Sequence, residues 1–197
     1  MPALDPDPKQ ELRDRARAAR RTAHDRFGAR IGPILAANFF ARFSHPPSVD
    51  IAGYWPIAEE ADVCPLMTAL DVRGHRVALP RVIRRGAPLR FLRWRPGDPL
   101  APGFGAIPAP AADGEAITPR VLLLPLLAFD GSGRRLGYGG GFYDRTLAAM
   151  RARTGIEAIG VAYADQEVDS LPAADHDEHL DWVVTELGCR RFDAPEP

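Results

Sequence analysis

The sequence predicts an α/β fold in which helices cover a mainly parallel sheet. The apolar run from Val121 to Phe129 is unbroken, which is typical of a strand buried on both faces. A turn at Asp130-Gly131 ends this run, a glycine-rich stretch follows, and Phe142 to Arg151 then shows helical spacing. The order strand, glycine loop, helix is the unit from which such sheets are built.

Composition restricts the class of protein. The chain has 197 residues, 46% of them hydrophobic and 26% charged, as in one soluble globular domain. Its net charge of -1 gives no general attraction to nucleic acid or to an anionic membrane, so we expect neither as a partner. Cys64 and Cys189 lack the spacing of a disulfide framework or a zinc site. Because no segment resembles a signal peptide or a membrane span, we expect one cytoplasmic domain over residues 1–197, with flexible tails at 1–8 and 192–197.

A basic helix is predicted from Lys9 onward, where helix formers surround a thin apolar stripe. Lys9 and Arg13 lie four residues apart and share one helical face, where they could grip a polyphosphate together. A solvated charged face is the more usual explanation of such a run, and a nucleic-acid patch would need aromatic residues around it.

A second helix is predicted to start at Thr22 to Asp25, which has the form of a capping box, and to bend at Gly32-Pro33. Helical spacing turns five of its apolar side chains inward: Phe27, Ile31, Leu35, Phe39 and Phe43.

The first predicted strand runs from Val49 to Trp55 and ends before a proline. The carboxyl ends of parallel strands face the ligand crevice, so Tyr54, Trp55 and the pair Glu59-Glu60 are site candidates. An aromatic ring could stack on a flat heterocycle while a carboxylate accepts its N–H groups. A core aromatic residue beside a helix N-terminal acid explains the same pattern equally well.

The other elements follow from apolar runs and from glycine and proline positions. They are a helix at 63–70 closed by Gly74, a strand at 76–79, a possible edge strand at 89–94, a surface loop at 96–119 that could cover or line the site, a strand at 156–163 and a last strand at 180–185.

The glycine loop, Gly137–Gly141, is the strongest site signal in the chain. Glycines let a backbone approach a ligand closely, and free N–H groups at a helix start favour an anion such as phosphate. Arg134 and Arg135 enter the loop and could add guanidinium donors. The loop matches neither of the common nucleotide-binding signatures, and a tight strand-to-helix connection would explain one or two of its glycines.

Carboxylates near this loop suggest a magnesium site. An acidic segment supplies Asp175, Asp177 and Asp181, and Asp144 lies just inside the helix after the loop. Magnesium takes one or two carboxylates together with substrate phosphate. Asp144 could instead stabilise the helix N-terminus, and His176 and His179 are better explained as solvated than as metal ligands.

Residues Leu136 to Arg145, preceded by Ala128-Phe129-Asp130 and Gly133-Arg134-Arg135, resemble the signature of the 5-formyltetrahydrofolate cyclo-ligase family, and the resemblance extends over nearly the whole chain. It implies a three-layer sandwich with a mainly parallel central sheet and helices on both faces. It also implies two small-molecule substrates, ATP and 5-formyltetrahydrofolate. With ATP and Mg2+, the family closes the formylated folate to 5,10-methenyltetrahydrofolate and releases ADP and phosphate.

The resemblance also implies residue roles, and we add a hypothesis for the chemistry. A γ-phosphoryl group passes to the formyl oxygen, and the resulting iminium phosphate closes the ring. We expect a monomer. The resemblance implies ATP binding by Lys9, Arg13, Arg135, Leu136, Gly137, Tyr138, Gly139, Gly140, Gly141, Phe142 and Tyr143, folate binding by Trp55 and Glu60, and magnesium binding by Asp144 and Asp177. Our hypothesis adds Arg134 to the ATP-binding residues and assigns catalysis to Arg135, Tyr143 and Asp144.

Two departures from the family pattern and two rival functions accompany this prediction. Some members carry lysine where this chain has Gly140, so a phosphate contact is either missing or supplied by Arg134. Many carry Glu or Gln in place of Ala109. A sugar-phosphate isomerase or acyl-transfer enzyme would use the glycine loop without ATP, and a regulatory module would bind ATP without acting on folate.

Overall fold

The structure is a computed structural model that describes residues 8–172, 174 and 176–193. Its helices are α1 (Pro8–Phe27), α2 (Ile31–Arg42), α3 (Cys64–Val72) and α4 (Phe142–Arg151). Its strands are β1 (Ile51–Ala52), β2 (Val77–Arg81), β3 (Arg90–Arg93), β4 (Ala101–Pro102), β5 (Pro108–Ala109), β6 (Ala116–Ile117), β7 (Val121–Pro125), β8 (Ala128–Asp130), β9 (Arg135–Leu136), β10 (Glu157–Val161), β11 (Glu167–Val168), β12 (Trp182–Thr185) and β13 (Gly188–Arg191).

The central sheet has the order β13-β12-β10-β7-β1-β2-β3-β6. Its five middle strands, from β12 to β2, are parallel, whereas β13, β3 and β6 pair antiparallel at the two sides. In the middle, Ile51 of β1 lies between Val77 and Val121. The prediction of a mainly parallel sheet is therefore confirmed.

Helices cover both faces of this sheet. On one face, α2 and α3 contribute Leu35, Phe39 and Leu66 to a core that includes Ile51. On the other face, α4 buries Leu147 in a second core that includes several sheet residues, among them Ala52, Leu122 and Leu124. The alternating strand residues fill both cores, as a sheet buried on both sides requires. The three-layer α/β prediction is confirmed.

Helix α1 reaches the first core through Ala23 and Phe27, and its N-terminal half packs against a small sheet of order β11-β8-β9. Leu12 and Ala16 of α1 meet Leu127, Leu136 and Leu171 in a third cluster. This thin apolar stripe fixes the helix, so the opposite flank of α1 can carry charge. None of the helices in the described part of the chain is long and apolar enough to cross a membrane.

The prediction of one strand from Val121 to Phe129 is wrong. β7 ends at Pro125, and the chain then bends into β8, which belongs to the small sheet. Gln166 stabilises the bend because its side-chain amide donates to the carbonyl oxygens of Leu126 and Leu127, at 2.8 and 3.0 Å.

The prediction of a helix start at Thr22 is also wrong. α1 runs through this position to Phe27, and the Thr22 hydroxyl donates back to the Ala18 carbonyl, at 3.2 Å, within the helix. The break comes later, in a short 3-10 turn at Gly28–Arg30, after which α2 runs through Gly32-Pro33. The inward-facing series was correct for Ile31, Leu35, Phe39 and Phe43, which are buried, and Phe27 packs against the same core.

Three smaller predictions need correction. β3 is not an edge strand, because β6 pairs with it, and the 180–185 strand is not the last, because β13 follows as a hairpin. The predicted tails are too long: Pro8 already belongs to α1, and Phe192 is buried against Phe129. Asp175 lies outside the described residues.

Candidate active site

A cavity of about 860 Å³ opens where α1, the glycine loop and the segment after β1 meet. Its volume lies in the usual range for small-molecule sites. Of the sixteen residues given a role in ATP, folate or magnesium binding or in catalysis, fifteen line it: Lys9, Arg13, Trp55, Glu60, Arg135, Leu136, Gly137, Tyr138, Gly139, Gly140, Gly141, Phe142, Tyr143, Asp144 and Asp177. The predicted surface loop also contributes, through Phe104, Ile107, Pro108 and Ala109.

Arg134 does not line the cavity. It directly precedes β9, whose first residue, Arg135, does line it. The sequence-based assignment of Arg134 to phosphate binding therefore lacks structural support.

Asp130 builds the turn that leads into the glycine loop. Its carboxylate accepts hydrogen bonds from the backbone N–H groups of Ser132, Arg134 and Leu171, at 2.9, 3.2 and 2.9 Å, and from the Ser132 hydroxyl at 2.6 Å. Burial raises the pKa of this carboxyl, but the hydrogen bonds outweigh burial and the net pKa is lowered. The charged side chain thus joins the turn to Leu171, a structural role.

Two guanidinium groups lie against the glycine loop. Arg13 donates to the Gly137 carbonyl at 3.3 Å, and Arg145 donates to the Gly140 carbonyl at 2.6 Å. The loop needs glycine at Gly139 and Gly141, whose φ values are +93° and +61°. Gly141 is also the residue from which α4 starts, so the first N–H groups of α4 lie beside this loop.

Arg135 and Asp144 form an ion pair at the cavity. Arg135 Nη2 lies 2.5 Å from Asp144 Oδ1, and only 5% of the arginine side chain is exposed. Arg135 also donates to the Glu178 carbonyl, while the Glu178 N–H donates to Asp144 at 3.3 Å. Burial lowers the pKa of Arg135 and the Asp144 charge opposes this, so the guanidinium remains protonated. Arg135 therefore fixes the orientation of Asp144.

Asp177 lines the same cavity. It accepts a hydrogen bond from Lys9, at 3.4 Å, and one from the Ala174 N–H, at 3.0 Å. The described residues contain no group of three or more His, Cys, Asp or Glu side chains that could hold a metal ion. Two cavity carboxylates nevertheless fit magnesium bound to a substrate phosphate, because that ion keeps several waters and needs only one or two protein ligands.

Glu60 is held on the β1 turn, residues 53–63, which joins β1 to α3. Its carboxylate accepts hydrogen bonds from the Ile57 N–H at 2.9 Å and from the Tyr138 hydroxyl at 2.5 Å. The Tyr138 hydroxyl in turn accepts from Arg20. Burial raises the pKa of Glu60, although Tyr138, Ile57 and Arg20 partly oppose the shift. The glycine loop and the β1 turn thus touch through one tyrosine.

Aromatic residues form the apolar wall. Trp55 is half-buried and packs edge-on against Trp94, with ring centroids 6.0 Å apart. Tyr54 is buried and donates to the Ala61 carbonyl at 2.5 Å, which gives it a structural role although it also lines the cavity. Tyr143 lies across the cavity, where burial raises its pKa. It therefore stays a neutral hydroxyl.

Sequence patterns alone did not indicate Arg20 or Arg145. Arg20 has 3% of its side chain exposed and lies 3.5 Å from Glu59 and 4.0 Å from Glu60. One signal was available for it: Lys9, Arg13 and Arg20 recur at near-helical spacing along α1. Glu59, a sequence candidate, bonds to Arg20 and Arg21 and does not line the cavity. Of the two histidines, His176 is exposed at the cavity rim and His179 contacts the Ser132 carbonyl.

Comparison with known proteins places this arrangement in a family. The family model described as the 5-formyltetrahydrofolate cyclo-ligase family matches residues 6–186. A 5-formyltetrahydrofolate cyclo-ligase from Mycolicibacterium smegmatis is 38% identical over 143 residues, which cover 68% of this chain and 72% of that protein. One from Escherichia coli is 37% identical over 150 residues, covering 72% and 82%.

A solved structure supports the same family assignment. The NMR structure of Aquifex aeolicus 5,10-methenyltetrahydrofolate synthetase superposes with a TM-score of 0.78 and 28% identity, covering 96% of this chain and 95% of that one. The matched family model spans both the β1 turn and the glycine loop, the two segments that meet at the cavity. The chain belongs to the 5-formyltetrahydrofolate cyclo-ligase family.

Proposed function

We propose that this protein uses ATP to close 5-formyltetrahydrofolate to 5,10-methenyltetrahydrofolate, with release of ADP and phosphate. Family membership makes the chain a ligase. The observation that carries the proposal is that one cavity has two chemically different walls. One wall has glycine N–H groups and cations, which suit phosphate, and the other has Trp55 and Glu60, which suit a flat heterocycle.

The phosphate wall binds the nucleotide. Lys9, Arg13 and Arg135 lie around the glycine loop, and their positive charges offset those of a triphosphate. Arg135 is preorganised, because Asp144 and the Glu178 carbonyl hold its guanidinium in one orientation. Preorganised donors cost little reorganisation when charge develops on the transferred group.

The heterocycle wall orients the folate. Trp55 offers a flat apolar surface to the pterin, and Glu60 accepts hydrogen bonds from its N–H groups. Accepting two such bonds requires a charged carboxylate, which Tyr138, Ile57 and Arg20 favour against the effect of burial. Tyr143, a neutral hydroxyl between the walls, donates a hydrogen bond to either substrate.

Chemistry needs an activated formyl group, since an amide is a poor electrophile. The formyl oxygen attacks the γ-phosphorus, the bond to the β-phosphate oxygen breaks, and ADP leaves. The neighbouring folate nitrogen then attacks the iminium carbon of the resulting iminium phosphate, loses its proton, and expels inorganic phosphate as the five-membered ring closes. The protein contributes positioning and charge neutralisation rather than a covalent step.

The two cavity carboxylates have the chemistry that a magnesium ion would need. Asp144 and Asp177 would hold it, together with oxygens of the nucleotide, where it would neutralise the transferring phosphoryl group. Arg135 and Lys9 keep these two carboxylates at the cavity until the nucleotide arrives. A cytoplasmic location and a monomeric state remain predictions from the sequence.

The deciding experiment is an absorbance assay for the methenyl product, with ATP and magnesium each withheld in turn. We expect product only when both are present, together with phosphate release that requires 5-formyltetrahydrofolate. Turnover that is indifferent to nucleotide would favour an isomerase or an acyl-transfer enzyme. ATP binding without folate-dependent phosphate release would favour a regulatory module.

A further inference from the structure

We infer that Arg145 is a phosphate-binding residue of the nucleotide site. It lies one turn inside α4 and brings a positive charge to the glycine loop. The inference rests on the proposed function, since it concerns the same cavity. Arg145 lines that cavity, and its guanidinium lies beside the loop, donating to the Gly140 carbonyl at 2.6 Å.

The positive charge of Arg145 is less neutralised by carboxylates than the charges of Lys9 and Arg135 are. Lys9 is paired with Asp177, and Arg135 with Asp144. Within the described part of the chain, Arg145 forms no ion pair, and its guanidinium donates to the neutral Gly140 carbonyl. Its buried Nε has no hydrogen-bond partner there. A partly buried guanidinium with an unused donor, facing a cavity, is chemically suited to an anion with several acceptor oxygens.

The loop is shaped around this side chain. A Cβ added to Gly141 would lie 2.6 Å from Arg145 Nη1, so the guanidinium packs directly against the bare backbone of the loop. The Phe142 ring lies 5.4 Å from the Arg145 carbon that joins the three nitrogens, which limits the directions the side chain can take. Arg145 is therefore held close to the N–H groups that would meet the same phosphate.

Gly140 offers a direct test, because it touches this arginine through its carbonyl. Its φ is not left-handed, and a Cβ there would meet only the Phe142 ring, at 3.0 and 3.1 Å. A longer side chain at Gly140 requires the ring to move by a few tenths of an ångström. A lysine placed there would bring a cation to the region that Arg145 now occupies.

The experiment measures dissociation constants of ATP and of inorganic tripolyphosphate by calorimetry in four proteins. Arg145→Gln removes the charge but keeps an amide that can donate to Gly140. Arg153→Gln removes the same charge from an exposed position just after α4, outside the cavity. The fourth protein combines Arg145→Gln with Gly140→Lys.

We expect Arg145→Gln to weaken both ligands about tenfold to a hundredfold, as for loss of one charged hydrogen bond, and Arg153→Gln to change them less than about twofold. The double variant should recover at least about fivefold. An unchanged dissociation constant in Arg145→Gln overturns the inference. The inference is also overturned if the double variant has the melting temperature of the Arg145→Gln protein but binds neither ligand more tightly than that protein does.

Steady-state kinetics separate this result from a purely structural role. Loss of a phosphate contact raises KM for ATP, whereas KM for the folate and the melting temperature stay near their original values. Equal changes in both KM values, with a lower melting temperature, would contradict a binding role. Because tripolyphosphate binding is measured without folate, failure of the cyclisation assay leaves this test intact and overturns only the proposed function.

Discussion

The β1 turn and the glycine loop both lead into a helix and both line the cavity, yet they achieve their shapes by opposite means. The β1 turn relies on side chains: Tyr54 and Glu60 bond to the backbone of the turn itself. It even keeps Ala58, which is not glycine, at a φ of +48°. The glycine loop has only one side chain beyond glycine, that of Tyr138, and it leaves its backbone open.

This difference matches the two kinds of ligand that we propose for the cavity, a heterocycle and a phosphate. A heterocycle is recognised through its edge and face, which requires fixed side chains such as Glu60 and Trp55. A phosphate is recognised through converging N–H groups and cations, which requires a bare backbone. The following changes test whether the two segments divide the work in this way.

The largest effect should come from Asp144→Asn, which acts on the phosphate wall alone. The amide oxygen can still accept a hydrogen bond from Arg135, so the fold is kept, but the charge that we propose for magnesium binding is lost. We expect kcat to fall about a thousandfold. The assay follows methenyl product at saturating ATP across a magnesium series, with circular dichroism as the check on folding. Activity within tenfold of the original enzyme would contradict the role of Asp144.

Glu60→Gln tests the opposite wall and should lower kcat/KM for the folate about tenfold to a hundredfold, since a charged acceptor becomes neutral. ATP binding measured without folate should not change. An equal loss of ATP affinity would show that the two walls are not separate.

The same variant has a predictable pH dependence of stability. Burial raises the pKa of Glu60 above the ordinary 4.5. A group whose pKa is raised on folding contributes stability below the ordinary value and loses it as pH rises through the folded value. We therefore expect Glu60→Gln to gain free energy of unfolding, relative to the original protein, as pH rises above 4.5. Urea unfolding at a series of pH values measures this difference, and a difference that shrinks with rising pH would contradict it.

Gly141→Ala tests the need for a bare loop. The new methyl group sits at a left-handed φ, which costs about 1 kcal/mol, and displaces the Arg145 guanidinium. ATP affinity should fall about tenfold. Gly131→Ala is the matched control, because Gly131 has no left-handed φ and no atom within 4 Å of an added Cβ. Equal effects of the two substitutions would mean that the loop backbone is not part of the binding surface.

Tyr138→Phe breaks the hydrogen bond that joins the two segments and should have a smaller effect. The Tyr138 hydroxyl lowers the pKa of Glu60, so its removal should raise that pKa further. If charged Glu60 binds folate, the acid limb of kcat/KM must move to higher pH, with a change of less than about tenfold at neutral pH. A shift to lower pH would contradict the assigned role of Glu60.

Ala58→Gly should have the smallest effect. Glycine relieves the left-handed φ, and the gain is offset by the entropy of the unfolded chain, so the net change in stability should stay below about 1 kcal/mol. Ala58 does not line the cavity, and kinetic constants should be unchanged. A large loss of folate affinity would show that the strain itself shapes the β1 turn.

Local patterns predicted the elements that local forces determine. The structure places α4 at Phe142–Arg151, the same residues that the sequence predicts, because a left-handed glycine precedes the helix and apolar residues recur along it. The break between β7 and β8 could not be predicted, since Gln166, some 40 residues away, supplies the donors that stabilise it.

The same distinction applies to the site. The glycine loop and Glu60 carried local signals in composition and position. Arg20 could not be assigned to the site, because its role depends on Tyr138, which is 118 residues away. The sequence could not separate Arg134 from Arg135, because adjacent arginines look alike in sequence, whereas of these two only Arg135 lines the cavity.

The way α1 is anchored has a consequence for synthesis. Arg13 bonds to a residue 124 positions later, and Lys9 to one 168 positions later. When α1 leaves the ribosome, neither of these partners has been made, and Leu12 and Ala16 cannot meet their sheet partners until residues 127–136 have followed. Lys9 and Arg13 are therefore among the first cavity residues to be translated, yet the groups that hold them at the cavity are made only after most of the sheet.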